Sequence, residues 1–132
     1  MPFNRQQVRA GGLVSDARPG DTLANPAIAT IATDANATIT AAQIEGGVVQ
    51  FTGFTAGRNL TTDTAVNILA AHTEMDIGDS IEFRVSCVAA FAGTYVAGTG
   101  VTLAGRATTP ASQSSVIYIT KTSATTVTWT VL

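Results

Sequence analysis

Apolar positions recur every second residue in several short runs of this chain. The clearest run is Ser80 to Val88, where Ile81, Phe83, Val85 and Cys87 alternate with Glu82, Arg84 and Ser86. Successive side chains of a strand point to opposite faces, so this pattern predicts a strand with one buried face and Cys87 in the core. Ser115 to Lys121 predicts a second strand, with Val116, Tyr118 and Thr120 on one face and Ile117, Ile119 and Lys121 on the other. Thr126 to Leu132 predicts a third, with Val127, Trp129 and Val131 aligned. The polar turn Lys121 to Ala124 between the last two predicts an antiparallel hairpin. Shorter strands are expected at Thr38–Thr40, Val48–Thr52, Thr94–Val96 and Val101–Leu103, punctuated by glycines. Ile28 to Thr33 has a period of three, which matches neither a strand nor a helix.

One helix is predicted. Thr61, Thr62 and Asp63 offer N-cap side chains, and Val66, Leu69 and Ala70 share a face at helical spacing. Gly78 supplies a stop. No repeat of 20–50 residues is visible by eye. Short strands separated by glycine turns suggest a sandwich or a barrel, and the fold expected is all-β, an antiparallel β-sandwich with one short helix, spanning residues 28–132. Residues 1–27 differ. Pro2, Gly11, Gly12, Pro19, Gly20 and Pro26 interrupt regular structure, and three of the seven basic residues, Arg5, Arg9 and Arg18, lie here. The segment reads as an extended N-terminal arm. A solvated terminus would explain it, but Phe3, Val8, Leu13 and Val14 favour an arm that orders against a partner.

Composition narrows the function. Charged residues make up 12% of the 132, and the net charge is −2. That balance excludes a disordered charged tail and a basic nucleic-acid coat. No run of roughly 18 apolar residues predicts a membrane span, and the first thirty residues lack the apolar block of a secretory signal. The single cysteine, Cys87, has no internal disulfide partner.

Candidate chemistry is sparse. Glu74, Asp76, Asp79 and Glu82 form the densest charge cluster, but their spacing does not match a calcium loop. A solvated turn is expected there. His72, the one histidine, is expected near the C-terminal end of the helix. No nucleophile-elbow sequence surrounds a serine, and Gly98-Thr-Gly100 lacks the lysine ending of a phosphate loop. Trp129 and Tyr118 fit a core or an interface better than a sugar platform. No catalytic residue, metal site or cofactor is expected, nor a nucleic-acid or membrane partner.

Several stretches carry a resemblance: Ile39-Thr-Ala-Ala-Gln-Ile44, Gly47 to Gly53, Asp63-Thr-Ala65, Ile77 to Val85, Gly98 to Leu103 and Val127 to Leu132. From Ile39 to Leu132 the chain resembles small β-rich capsid decoration (cement) proteins of tailed bacteriophages. The resemblance implies a virion protein on the outer capsid surface, made in the host cytoplasm. It also implies a jelly-roll or related β fold, a homotrimer, the major capsid protein as partner, and no catalytic residues. On this reading Phe3, Arg5, Val8, Arg9, Leu13 and Arg18 form a capsid-binding arm, and the strand face bearing Ile117 and Ile119 supplies a threefold interface. The alternatives are a tail-fibre or head-fibre domain that contacts a host receptor, and a small hydrolase or lectin-like module.

Overall fold

The computed structural model describes residues 27–88 and 90–132. The expected arm, with Phe3, Arg5, Val8, Arg9, Leu13 and Arg18, lies outside the described residues. From Ala27 onward the chain winds between two sheets. The first coil is β1 (Ala27–Ile31), β2 (Ala37–Ile39) and helix α1 (Ala41–Glu45). The second is β3 (Gly47–Phe51), β4 (Arg58–Thr62) and helix α2 (Ala65–Ala71). The third is β5 (Ser80–Cys87) and β6 (Gly93–Val96). β1, β3 and β5 lie parallel in one sheet, and β2, β4 and β6 lie parallel in the other. The first three coils therefore form a short parallel solenoid, each coil stacked on the next.

The rest of the chain closes the far end. β7 (Val101–Gly105), β8 (Thr108–Thr109), β9 (Gln113–Lys121) and β10 (Val127–Val131) complete it. The larger sheet has the order β1-β3-β5-β9-β10-β7 and the smaller β2-β4-β6-β8. β9 runs antiparallel to β10, as the hairpin pattern predicts, and also to β5; β7 runs parallel to β10, and β8 antiparallel to β6.

The antiparallel jelly-roll-like sandwich with one helix is therefore corrected to two mixed sheets with parallel coils and two short helices. Period-two alternation is the same in parallel and antiparallel strands, so it does not set direction. Connections do. β1 and β3 each pass through a strand of the small sheet before the chain returns to the large one, and those two returns are parallel, whereas β9 passes straight to β10 and is antiparallel to it. Unequal coil lengths hide the repeat. Ala27 sits on Gly47, 20 positions later, whereas Val48 sits on Arg84, 36 positions later.

Local chemistry explains the elements that periodicity missed. The period-three run at Ile28 is strand β1 because its backbone pairs with β3, which places Ala29 and Ile31 beside Val49 and Phe51. Helix α1 starts at a capping box. Thr40 Oγ1 accepts from Gln43 N, and Gln43 Oε1 accepts from Thr40 N. Helix α2 is capped by Thr64, whose hydroxyl accepts from Asn67 N, because β4 continues through Thr62. Its buried face is Ala65, Ile68 and Leu69, while Val66 and Ala70 are exposed, so the expected face is displaced by one residue.

The core lies between the sheets. Val49, Phe51, Phe83, Val85, Cys87, Ile117, Ile119, Val127, Trp129 and Val131 come from the large sheet, and Ile39, Leu60 and Tyr95 from the small one. Phe83 and Trp129 meet edge to face at 5.2 Å, a favourable aromatic geometry. Gly53 marks a close approach of coils, since a Cβ there would strike the carbonyl oxygen of Ala32. Gly105 turns the chain out of β7 with φ +81, beside the carbonyl of Val131.

Candidate binding surface

The inner face of the large sheet is core, so its outer face is what the fold presents. Ile117 and Ile119, expected at an interface, are fully buried. Their strand turns Val116, Tyr118 and Thr120 outward instead. Registers build the outer face row by row. Ser80, Thr120, Thr128 and Thr102 form one row, and Glu82, Tyr118, Thr130 and Ala104 the next. Ile28, Val48, Arg84 and Val116 form a third. Ser80 and Thr120 hydroxyls are 2.6 Å apart. At the outward positions of the six strands only Glu82 and Arg84 are charged. Parallel strands are normally covered on both faces by helices. Here neither helix lies over this face, and Ile28 and Tyr118 are exposed on it.

The end of the solenoid at β1 and β2 is the second unusual surface. β1 and β2 are the terminal strands of their sheets, and no described residue pairs with their outer edges. Two side chains of this coil reach back to fasten it. Asp34 accepts from Thr55 N at 3.0 Å, from the Thr55 hydroxyl, and from Arg58 Nε at 3.0 Å. The Thr55 hydroxyl and amide, and then Arg58, hold the Asp34 carboxyl down to about 2. Asn36 Oδ1 accepts from Asn59 N at 3.0 Å. Asp63 ties the helices to the coils: Oδ2 accepts from Ala41 N, and Oδ1 from Thr64 N and Asn67 Nδ2. Burial opposes its ionisation, but these hydrogen bonds together keep its carboxyl below the ordinary value.

The remaining polar clusters serve the fold. Tyr95 Oη and Thr109 Oγ1 are 2.5 Å apart, and Thr109 donates to Ser115 Oγ at 2.9 Å, so three buried hydroxyls satisfy one another. Burial pushes the Tyr95 phenol up. It also pushes up the thiol of Cys87, which is in the core as its strand position predicts. His72 is the C-cap of α2, at the expected helix end. Its Nε2 lies 3.1 Å from Glu45 Oε2 without hydrogen-bond alignment, and its Nδ1 lies 3.7 Å from Glu74 Oε2. Glu45 was not a sequence candidate; the capping box that starts α1 is the signal that would have brought it there. Glu74, Asp76, Asp79 and Glu82 are all exposed, and Asp79 Oδ2 accepts from Asp76 N within the turn. Among the described residues, no three His, Cys, Asp or Glu side chains are grouped to hold a metal. Among them also, no helix is long and apolar enough to cross a membrane.

No family model, curated protein or solved structure matches this chain.

Proposed function

We propose that this chain is a structural virion protein, without enzymatic activity, that binds the outer capsid surface and stabilises the capsid lattice as a homotrimer. Its partner is the major capsid protein. The observation that supports this reading is the outer face of the large sheet, which no described helix covers. A broad sheet face with two charged side chains, many hydroxyls and exposed Ile28 and Tyr118 can bury a flat surface at little desolvation cost. Many symmetric copies multiply weak contacts of this kind.

The test is the copy number of the chain in purified virus particles, relative to the major capsid protein, by quantitative mass spectrometry. A simple lattice fraction supports decoration, and absence from the particle removes the proposal. Replacing Tyr118 by Glu and Val116 by Asp is expected to abolish capsid binding while the domain stays folded. The stacked parallel coils favour a second reading, a fibre domain, because coils can be added without changing the packing rule. That reading requires only a few copies per particle.

A further inference from the structure

We infer that the open edge of β1 is a self-pairing site, at which two copies of this chain join β1 to β1 antiparallel across a twofold axis. The backbone gives the register. Thr52 N donates to Ile31 O, so the carbonyl of Ile31 points toward β3. Peptide groups alternate along a strand, so Ala27, Ala29 and Ile31 face β3, while Ile28 and Thr30 direct their N–H and C=O groups outward. Two outward residues on each copy form four hydrogen bonds when Ile28 of one copy pairs with Thr30 of the other. Ala29 then faces its own counterpart at the axis, where a methyl side chain allows the close approach of a non-hydrogen-bonded pair. The same reasoning applies at β2. Asp63 N donates to Ile39 O, so Thr38 is the outward residue of that edge, on the same end of the solenoid.

Charge selects a second copy as the occupant. From Ala27 to Ile44 the only ionisable residue is Asp34. Its charge is matched inside its own chain by Arg58 at 2.9 Å. Two such ends meet without like-charge repulsion and without an unmet charge that calls for a basic or acidic partner. Edges that stay apart are normally short, charged or interrupted by proline. The other end has these features: β8 is two residues long and is followed by Pro110, and β7 runs out at Gly105 and Arg106. The β1 edge has neither charge nor proline within its five residues. A twofold contact is isologous and closes. It leaves the outer sheet face free for the capsid, and would pair two of the proposed trimers into a particle of six.

The test is the mass of the full chain across a concentration series, by sedimentation velocity and native mass spectrometry. An even-numbered assembly is expected. Thr30→Pro removes an outward N–H that the β1–β3 ladder does not use, and is expected to halve the mass with unchanged thermal unfolding. Ala29→Cys is expected to form a disulfide-linked dimer on mild oxidation, because facing Cα atoms at a non-hydrogen-bonded pair are within disulfide range; Thr33→Cys is not. A monomeric or odd-numbered wild type overturns the inference, and is the result if residues 1–26 or a capsid segment fill this edge. An unchanged mass for Thr30→Pro, or no cross-link through Ala29→Cys, overturns it as well.

Discussion

The two ends of this solenoid are built by different rules. At the closed end, the eight-residue β5 and nine-residue β9 pair antiparallel, β10 pairs antiparallel with β9, and Trp129 packs against Phe83. At the open end, β1 and the three-residue β2 have only parallel partners. They are fastened by the close approaches of Gly46 to Ala27 and Gly53 to Ala32, and by the side chains of Asp34 and Asn36. Antiparallel pairs are slightly more stable per residue than parallel ones. In a solenoid each coil touches only its neighbours, so stability is a sum of local terms. The closed end therefore carries the global stability, and the open end unfolds locally from it.

The largest test of that contrast is Trp129→Ala. Removing this fully buried side chain is expected to cost about 3–5 kcal/mol, measured by urea unfolding, and to lower the stability of every coil together. A loss confined to β10 would break the contrast. Gly53→Ala comes next. Its new Cβ meets the Ala32 carbonyl, and overpacking of this kind costs about 1–3 kcal/mol. Hydrogen exchange should speed up in β1 and β2 while β9 and β10 keep their protection. Equal loss at both ends would show that the first coil is part of the global unit.

Tyr95→Phe probes the middle of the stack. Thr109 keeps its bond to Ser115 and loses only its phenol neighbour, so the expected cost is about 1 kcal/mol by denaturant titration. The smallest effect is the pH response of the Asp34 clamp. Its carboxyl sits at about 2 in the folded chain against an ordinary 3.8. A depressed value means that ionised Asp34 favours the native contact above about 3.8, and that this contribution is lost as pH falls through about 2. The amide resonance of Thr55 should shift with a midpoint at about 2, and Asp34→Asn should remove the transition. Loss of β9 protection over the same range would contradict the independence of the ends.

The closed end was also the legible one. Ile81, Phe83, Val85 and Cys87 declare β5, and Val127, Trp129 and Val131 declare β10, because one buried face imposes strict alternation. The open end was not legible. In β1, Ala29 and Ile31 face inward beside an outward Ile28, so burial writes no clean period. Strand direction depends on which sheet the chain visits next, and no residue type records that. The candidate surface failed for a related reason. Alternation separates Ile117 and Ile119 from Val116 and Tyr118, but both sets are partly apolar, and only the second sheet shows which one is covered.

The antiparallel partner of β5 also has a consequence for synthesis. Residues 113–121 leave the ribosome after all three parallel coils, so in a nascent chain that ends before β9 no described residue pairs with either side of β1-β3-β5. Unpaired strand edges are where incomplete chains associate. The polysome, where many such chains sit close together, is thus the setting in which this protein is most exposed to misassembly, and completion of β9 ends that exposure on one side.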